Sequence, residues 1–440
     1  MEIQSLEQLV SNTFPNVTRI TISAQLKSFP KELFKYTETL EILDLSDNLL
    51  SEVPDEIVQF KKLKILFLSN NQFTVFPLIL GQCRKLSMIG FKSNSIGFIP
   101  EHAFPETLQW LILTNNCVEN IPVSISKCLP LEKVALAGNK LSSLPIEMAD
   151  CKNLALLRIS VNNFKELPEW LLSMPKLAWL AYSGNPCAYK KTASKKLPVI
   201  NWDNISVMEK LGEGASGIIS KAKITAGNAG RDNEYVAVKV FKGEVTSDGY
   251  PEDEIHISAC LPQHKNLVKV LGKLHNHPEK KEGLVFELIP VEYKNLGMPP
   301  SFATCSRDTF KEGTIFTLKE IVKILRSVAG ATQQLHIKGI MHGDLYAHNT
   351  LIDDKANTLF GDFGAATAYD LSLDTAKTLQ RIEARAFGYM IDDLLNYVDH
   401  ETKNSEAMHL LVELKRICLV DEILLRPDFN HIMQSLEKII

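Results

Sequence analysis

The 440-residue chain has little that would set it apart from ordinary globular proteins. Its 48 lysines and arginines nearly balance 52 aspartates and glutamates, and the net charge of −4 gives no reason to expect a nucleic-acid partner. No uncharged apolar run approaches the roughly 20 residues that a transmembrane helix needs. The first residues, Met1 to Ser5, lack the basic and apolar regions of a signal peptide. We therefore expect a cytoplasmic protein without a transmembrane segment.

The eight cysteines are scattered along the chain and show no paired spacing of the kind that metal sites need. A disulfide framework is not indicated either, because such frameworks hold together short secreted chains. The pattern favours reduced thiols. What the chain does have is length: 440 residues exceed one ordinary hydrophobic core, so two domains are expected.

The first half of the chain is a repeat. The frame Leu-x-x-Leu-x-Leu-x-x-Asn recurs in steps of 23 residues, once 22, from Leu40, Leu63, Leu86, Leu108, Leu131, Leu154 and Leu177. A proline follows the first six copies in one phase, and a poorer copy begins near Val17. One copy cannot bury its own apolar face, so the stack is the folding unit, and the asparagines would satisfy backbone groups in the turns. This pattern resembles a leucine-rich repeat solenoid.

Strand residues between the inward leucines should face the concave side of the solenoid. They include an unusual number of large apolar residues, among them Ile65, Phe67, Met88, Trp110 and Trp179. An exposed apolar stripe is typical of a protein-binding surface, with the two tryptophans as anchors for a substrate or regulator. The alternative is that the second half of the chain, or a second copy of it, covers the stripe.

One phase of the repeat holds Cys83, Cys128 and Cys151, with Phe60 and Met174 in other copies. A row of residues in one phase of a stacked repeat predicts buried core. We therefore interpret these thiols as core residues, with metal binding or redox chemistry as the less favoured alternative.

The junction between the halves is short and basic. The last copy ends near Asn185, and the stretch after it contains Lys190, Lys191, Lys195 and Lys196. It is too short and too polar to cross a membrane. We predict a repeat domain at 1–186, a short basic linker at 187–203 and a second domain at 204–440.

The second half carries the chemistry. Asp344 and Asn349 stand five positions apart in His342-Gly343-Asp344-Leu345-Tyr346-Ala347-His348-Asn349. Asp362-Phe363-Gly364 follows after two predicted strands, Thr350–Ile352 and Thr358–Phe360. Phosphoryl transfer needs a carboxylate near the attacking hydroxyl and oxygen ligands for Mg²⁺ beside the phosphates. Asp344, Asn349 and Asp362 have this chemistry in this order; a turn merely rich in Asp and Asn is the alternative.

Motifs upstream favour the phosphate interpretation. Gly212, Gly214 and Gly217 form a G-x-G-x-x-G that opens a strand rather than a helix, which indicates a flap over phosphates. The apolar strand Tyr235–Phe241 is interrupted by Lys239. A lysine buried in a strand is costly unless it has a partner.

Residues 204–440 resemble the protein-kinase superfamily. The resemblance implies a two-lobed α+β domain, so the chain as a whole is expected to be a multidomain α/β protein. It implies ATP and Mg²⁺ as cofactors, with Asp344 orienting or deprotonating the acceptor hydroxyl and Asn349 and Asp362 holding the metal. Lys239 would hold the α- and β-phosphates and pair with Glu254 of the next helix, with Glu252 as the alternative.

The same resemblance makes Phe286 the gatekeeper of the adenine pocket and places adenine on the backbone after it. The nucleotide-binding residues that it implies are Gly212, Gly214, Gly217, Ile219, Ala237, Lys239, Glu287, Leu288 and Ile289. A long helix predicted from Thr317 to Lys338 leads into the catalytic loop.

Several positions depart from the family pattern. Gly343 stands where many members carry an Arg that reads an activating phosphate, Tyr346 where Ser/Thr kinases place a Lys, and His348 where tyrosine kinases often place an Arg. Glu383 replaces the usual Asp of a helix that we predict over Arg381–Tyr397. No Ala-Pro-Glu follows Asp-Phe-Gly, so Arg426 lacks the Glu with which it normally pairs.

We expect a protein kinase that acts on Ser/Thr hydroxyls and whose repeats recruit a substrate or regulator. A catalytically weak pseudokinase scaffold is the first alternative. A small-molecule kinase is the second, since His-Gly-Asp also resembles phosphotransferases of the aminoglycoside and choline type. Because Gly343 offers no guanidinium, we predict that activity needs no phosphate on the segment after Gly364 and that the repeats control the kinase. The sequence does not indicate an oligomeric state.

Overall fold

The computed structural model describes residues 2–11, 14–191, 196–214, 216–225, 233–243, 245–246, 248–399 and 405–439. Lys195 of the predicted linker and Ala215 of the glycine motif lie outside these residues. The chain forms two compact units: the first holds Met1–Lys176 and Asn185–Cys187, and the second holds Leu177–Gly184 and Ala188–Ile440. The final copy of the repeat is therefore divided between the units, and the predicted limits 1–186, 187–203 and 204–440 remain predictions.

The first unit is a parallel sheet with one short strand for each copy of the repeat. Neighbouring strands pair in register, so that Ile42 lies opposite Ile65 one copy later. A short helix, α1 (Leu6–Ser11), follows the first strand. The strands are β1 (Glu2–Ile3), β2 (Arg19–Thr21), β3 (Ile42–Asp44), β4 (Ile65–Phe67), β5 (Met88–Gly90), β6 (Trp110–Ile112), β7 (Lys133–Ala135) and β8 (Leu156–Arg158).

Prolines begin the return half of most copies. A 3₁₀ helix starts directly after Pro30, Pro54, Pro77, Pro122, Pro145 and Pro168. The fixed φ of proline suits the entry to a helical turn, where its missing N–H leaves no hydrogen bond unmade. These helices are Lys31–Tyr36, Asp55–Gln59, Leu78–Gln82, Val123–Lys127, Ile146–Asp150 and Glu169–Ser173.

The frame asparagines hold the turns together, as predicted. The Asn48 amide nitrogen donates to the carbonyls of Ile22 (2.8 Å) and Leu45 (2.9 Å), and its oxygen accepts from the N–H groups of Ala24 and Leu26. The side chains of Asn71, Asn94, Asn116, Asn139, Asn162 and Asn185 likewise bridge backbone groups of successive copies. Each side-chain amide satisfies polar backbone groups that would otherwise be buried without a hydrogen bond.

The predicted row of core thiols is confirmed. Cys83, Cys128 and Cys151 are buried, and so are Phe60 and Met174 in the same phase. Burial raises the pKa of Cys83 and Cys151 to about 11 and that of Cys128 to about 12. These thiols are therefore inert core residues rather than nucleophiles.

Of the two alternatives for the concave stripe, exposure to solvent does not hold for three of its five residues. Ile65, Met88 and Trp179 are only 6%, 4% and 1% exposed. Phe67 and Trp110 are half-buried, and the Lys133 ammonium lies 4.0 Å from the centroid of the Trp110 ring. Alternation along a strand identified the face correctly, but it carries no information on what covers that face.

In the second unit, the first described strand is β9 (Trp179–Ala181). A mixed sheet follows in the order β10-β14-β15-β13-β12-β11, with the helix α2 (Pro251–Cys260) after β13. Only β10 and β14 run parallel among its described pairs. Its strands are β10 (Val199–Asn201), β11 (Ile205–Glu213), β12 (Gly217–Ile224), β13 (Tyr235–Phe241), β14 (Val270–His275) and β15 (Gly283–Glu287).

The rest of the second unit is mainly helical. Its helices are α3 (Leu318–Ile337), α4 (Thr375–Leu395), α5 (Glu406–Cys418) and α6 (Phe429–Glu437). Short strands lie between them: β16 (Lys294–Asn295), β17 (Ile340–Met341), β18 (Thr350–Ile352), β19 (Thr358–Phe360) and β20 (Thr367–Ala368). Strands β16, β18 and β19 form one small sheet, and β17 pairs with β20. The described helices include none that is long and apolar enough to cross a bilayer.

Helix α3 lies one residue inside each of its predicted ends, Thr317 and Lys338, whereas α4 begins six residues before the predicted Arg381 and ends two residues before the predicted Tyr397. Its first turns bury Ala376 and Leu379 on the core side. Asp374 precedes the helix but does not cap it through a side-chain hydrogen bond. The fold class is confirmed: the chain is a multidomain α/β protein with a parallel repeat sheet followed by a sheet-and-helix domain.

Candidate functional site

The site is organised around a buried ion pair. Lys239 lies in β13, between Ile219 of β12 and Leu284 of β15. Its ammonium contacts both carboxylate oxygens of Glu254 in α2, at 2.7 and 3.0 Å. Both residues are buried, at 6% and 4% exposure, while Glu252 is exposed. The structure therefore brings Lys239 to Glu254 and not to the alternative, Glu252.

The pKa values of both members of this pair are raised, which favours the charged form of Lys239 and the neutral form of Glu254. Burial alone would lower the pKa of Lys239, but the carboxylates of Asp362 and Glu254 raise it above its ordinary value. Burial raises the pKa of Glu254 to about 7, against the effect of Lys239. A neutral Glu254 would offer only one good acceptor oxygen, yet both oxygens accept from the ammonium. The geometry thus favours the charged pair, consistent with the shift at Lys239.

The catalytic loop, residues 342–349, lies between β17 and β18. The Asn349 amide nitrogen donates to the backbone carbonyl of Asp344 (2.9 Å) and to its carboxylate (2.8 Å). The Asn349 side-chain oxygen is then the atom left to face a cation. Asp362 lies 3.7 Å from the Lys239 ammonium and has a positive φ of 56°, so the loop carrying it turns toward the ion pair.

The donor set suits magnesium held mainly by a nucleotide. Asn349 and Asp362 offer amide and carboxylate oxygens, the ligand atoms that Mg²⁺ prefers. Among the described residues, no group of three or more His, Cys, Asp and Glu side chains is placed to hold a metal ion by itself. Mg²⁺ in such sites takes few protein ligands and completes its shell with phosphate oxygens and water.

The glycine flap has room for phosphates. A Cβ added at Gly212 or Gly214 would meet nothing within 4 Å, so close approach is open there. Gly217 differs, because a Cβ would lie 2.8 Å from the carbonyl oxygen of Val240 on the neighbouring strand. The first two glycines thus fit a nucleotide-facing role, whereas Gly217 is needed for the strand pairing.

The proposed adenine-side residues share one face of the sheet. Lys239 is paired with Ile219, and Ala237 is paired with Phe286 two residues away along β13. Cross-strand partners and residues two apart point to the same face. Glu287, Leu288 and Ile289 continue the chain directly beyond Phe286, with Leu288 and Ile289 half-buried. The structure therefore gathers these predicted residues; their binding roles remain predictions.

Glu383 of α4 fixes the residue before Asp344. Fully buried, it accepts from the Gly343 N–H at 2.7 Å and contacts His336 Nε2 at 2.7 Å. Burial alone would raise the pKa of Glu383, but the hydrogen bond and charge of His336 hold it below its usual value. Glu383, in place of the usual Asp, therefore holds the backbone N–H of Gly343. Its longer side chain also contacts His336, a residue that the sequence did not single out.

Asp308 is a second residue that the sequence did not reveal. Its carboxylate accepts from the His348 backbone N–H (2.9 Å) and contacts His348 Nδ1 (2.7 Å). Burial alone would lower the pKa of His348, but Asp308 raises it above its ordinary value. Asp308 lies in an irregular stretch before α3, where no periodicity or motif marks it.

Trp179 is a third residue of this site, and the sequence pattern placed it on the concave face of the repeats. Its indole Nε1 donates to the carbonyl of Leu345 at 3.0 Å. Its ring stacks on Tyr346, with centroids 4.3 Å apart and planes 6° apart, and on Tyr389 of α4 at 5.3 Å. Of the two alternatives for Trp179, an exposed anchor for a partner or a residue covered by the second half of the chain, the structure favours the second, because Trp179 lies beside the catalytic loop within the second unit.

A cavity of about 920 Å³ lies elsewhere in the second unit. It is lined by residues of α3, the β18–β19 hairpin and the start of α5, among them Val322, Arg326 and Leu359. None of the predicted site residues lines it. The site is therefore identified by its chemistry and not by the size of its cavity.

Two family models match parts of this chain. The protein kinase domain family matches residues 205–405, and a leucine rich repeat family matches residues 15–73. The chain is similar to the probable L-type lectin-domain containing receptor kinase V.3 of Arabidopsis thaliana, with 32% identity over 193 residues. That match covers 42% of this chain and 26% of the relative, so the chain spans about a quarter of the length of the curated relative it matches.

The matched regions coincide with the two structural patterns. The kinase match contains Lys239, Glu254, Asp344, Asn349 and Asp362, and the repeat match lies within the parallel sheet of the first unit. The chain thus contains leucine-rich repeats within residues 15–73 and a protein kinase domain within residues 205–405.

Proposed function

We propose that this protein is an active kinase that transfers the γ-phosphoryl group of ATP to Ser or Thr hydroxyls of proteins. One observation carries the proposal: the Lys239 ammonium lies 2.7 Å from Glu254 and 3.7 Å from Asp362. Kinases need this lysine–glutamate pair and the metal-binding aspartate in place together. A decayed site would have no reason to keep three charged groups at these distances, two of them buried.

Each residue has a role that its contacts support. Bound MgATP supplies the phosphoryl group. Lys239 would hold the phosphates, and Asp362 with the Asn349 oxygen would hold Mg²⁺. Asp344 would orient or deprotonate the acceptor hydroxyl, with its carboxylate held by the Asn349 amide at 2.8 Å.

The preference for Ser and Thr over Tyr rests on His348. It stands where tyrosine kinases often place an Arg, and Asp308 holds both its ring and its backbone. In place of the guanidinium typical of that position, this chain has the shorter imidazole of His348, which is held by Asp308. Identification of the phosphorylated amino acid in acceptor proteins tests this point.

A small-molecule acceptor is the second candidate. Only residues 369–374 separate β20 from α4, and no Ala-Pro-Glu occurs there. Peptide acceptors normally rest on a longer segment, so this shortness favours a compact acceptor. The scaffold alternative has no such supporting observation in the site.

We further propose that the repeats recruit the substrate or a regulator and that the protein works in the cytoplasm. Repeats of this kind present extended binding surfaces. All eight cysteines are free thiols, which fits a reducing compartment. Cell fractionation with a tagged full-length chain tests the location, and its recovery in a secreted fraction would overturn this part.

The central experiment uses the purified full chain with labelled MgATP and cell extract. Wild type should label acceptors, and Asp344→Asn should abolish labelling while it retains MgATP binding, because the phosphate and metal ligands are unchanged. Asp362→Asn should weaken metal-dependent nucleotide binding. Asp354→Asn, an exposed carboxylate on the β18–β19 turn, is the matched control and should behave as wild type. If the wild-type protein showed neither a nucleotide-dependent thermal shift nor phosphate transfer, the proposal of an active kinase would be refuted. The pseudokinase scaffold would then remain.

A further inference from the structure

We propose that Trp179 is a positioning residue for the catalytic loop, and that the segment Leu177–Gly184 supplies structural support that the short stretch after Asp-Phe-Gly does not provide. The inference builds on the proposed kinase activity. It concerns residues that lie outside the matched kinase region, 205–405.

The need for support comes from the shortness of that stretch. After β20, residues 369–374 lead directly into α4, and no Ala-Pro-Glu is present to pair with Arg426. Arg426 is nevertheless only 1% exposed. Its guanidinium donates to backbone carbonyls of Val420 (2.9 Å), Leu177 (3.3 Å) and Arg381 (3.4 Å). The segment Leu177–Gly184 thus provides one of the acceptors that hold this buried arginine.

The segment also reaches the catalytic loop at its centre. Trp179 donates to the carbonyl of Leu345, the residue directly after Asp344. Fixing that carbonyl fixes the peptide plane that joins Leu345 to Tyr346, one residue beyond Asp344. The Trp179 ring stacks on Tyr346 of the loop and on Tyr389 of α4, so one buried side chain ties the loop to the helix.

Backbone contacts extend this support to both sides of the loop. A Cβ at Gly343, the residue before Asp344, would lie 2.8 Å from the carbonyl oxygen of Leu180. The Tyr182 N–H reaches the Thr367 hydroxyl of β20 at 3.4 Å. The segment therefore contacts the residues on both sides of Asp344 and the strand that follows Asp-Phe-Gly.

A positioning role differs from general stability in what it predicts for kinetics. In the proposed site the nucleotide is held by Lys239, the glycine flap and Glu287 to Ile289, and none of these is among the described hydrogen-bond and ring contacts of Trp179. Misplacement of a reacting group by a fraction of an ångström lowers turnover without weakening nucleotide binding. Loss of Trp179 should therefore lower kcat and leave the KM for ATP nearly unchanged.

The test compares full-length Trp179→Ala and Trp179→Phe with wild type. Trp170→Ala, a half-buried tryptophan of the first unit, is the matched control. We expect kcat to fall by about 10- to 100-fold in Trp179→Ala, by the scale of such misplacements. Trp179→Phe keeps an aromatic stack but loses the hydrogen bond, so its kcat should be intermediate. Trp170→Ala should match wild type.

Hydrogen exchange supplies a readout that needs no activity. Amides of residues 344–350 should exchange faster in Trp179→Ala, while those of β13 and α2 keep their wild-type rates. If wild type transfers no phosphate, the proposed function fails, and exchange alone then decides whether Trp179 holds the loop. If Trp179→Ala does not fold, the folded Trp179→Phe decides by the same measurements.

Two outcomes would overturn the inference. Unchanged kcat and unchanged loop exchange in folded Trp179 variants would mean that the stack does not position the loop. A higher kcat in Trp179→Ala would mean that the segment obstructs the acceptor site instead of supporting it.

Discussion

Gly343 shows at the scale of one residue why the loop departs from the family pattern. Its φ is +73°, a left-handed conformation that side chains disfavour. A Cβ there would lie 2.6 Å from the Ala365 carbonyl oxygen and 2.8 Å from that of Leu180. The arginine that many kinases carry at this position therefore has no place in the present loop.

We predict that Gly343→Ala lowers the free energy of unfolding by about 1–3 kcal/mol, since strain and backbone contacts add. It should also reduce transfer, because Asp344 is the next residue. Thermal or urea unfolding and a transfer assay measure the two effects. Gly243→Ala is the control, since its added Cβ would meet only one atom, at 3.8 Å. Equal losses of unfolding free energy in Gly343→Ala and Gly243→Ala would contradict the conclusion that Gly343 is strained and closely packed.

Residues of the site divide by whether their partners are close in sequence. Lys239 and Glu254 are 15 positions apart and carry a motif, so the sequence predicted their pairing. Trp179 and Leu345 are 166 positions apart, and nothing in either stretch indicates the other. Asp308 and His336 were missed for the same reason: their partners are chosen by tertiary packing, which leaves no local signal.

At the scale of elements, α3 has the strongest local signal in the second unit. Thr317 caps it: its hydroxyl accepts from the Glu320 N–H, and the Glu320 carboxylate accepts from the Thr317 N–H at 2.8 Å. This capping box satisfies two backbone donors that a helix start leaves open. The helix leads into the catalytic loop, so its start matters for the site.

Thr317→Ala should lower the free energy of unfolding of the second unit by about 1 kcal/mol. Thr317→Ser retains the hydroxyl and should recover most of the loss. Chemical denaturation of both variants, followed by a signal from the second unit, measures the difference. A serine variant as unstable as the alanine variant would show that the methyl group, and not the cap, is responsible.

Elements with complete local patterns were predicted to the residue, and those without were not. Strands β13, β18 and β19 match their predicted bounds because apolar runs end at clear turn residues. Helix α4 was placed too late, because the polar residues Thr375, Lys377 and Thr378 interrupt the apolar periodicity in its first turn. Burial of Ala376 and Leu379 stabilises that turn, and such burial is decided by distant neighbours.

At the scale of the whole molecule, the thiol row gives the repeat unit a pH dependence. Cys83, Cys128 and Cys151 have pKa values raised from 9.0 to about 11, 12 and 11. Below pH 9 the thiols are protonated in both states, and their stabilising contribution is fully present. Above pH 9 the unfolded chain releases protons that the folded chain retains, so the contribution is lost as the pH rises toward 11–12.

We therefore expect the unfolding free energy of the first unit to fall above pH 9 by about 1.4 kcal/mol per pH unit for each thiol. Urea unfolding at pH 8, 9.5 and 11 measures the slope. Cys128→Ala should lower stability at every pH through its cavity, yet show a shallower slope. Identical slopes in wild type and variant would contradict the prediction.

Regulation also belongs to this scale. Arg381 and Arg385, the arginines nearest in sequence to the segment after Gly364, donate to backbone carbonyls of Arg426 and Leu419. Thr367 is buried at 1% exposure, so it is poorly placed to accept a phosphate. Both observations fit the prediction that activity does not depend on phosphorylation there.

Phosphatase-treated and untreated full-length protein should accordingly transfer phosphate at equal rates. A large loss after treatment, restored by rephosphorylation between Thr367 and Thr378, would refute this. Control by the repeats is tested with a fragment that begins at Leu177, because a fragment from residue 204 lacks Trp179. Equal rates of phosphate transfer in that fragment and in the full chain would show that the repeats do not regulate the kinase.

The division of the chain has a consequence for gene fusion and recombination. The chain leaves the first unit after Lys176, returns to it for Asn185–Cys187, and then enters the second unit again at Ala188. No single breakpoint in the gene yields both units intact: a cut before Leu177 removes Asn185–Cys187 from the first, and a cut after Cys187 removes Leu177–Gly184 from the second. We therefore expect the final copy of the repeat to be inherited together with the kinase domain.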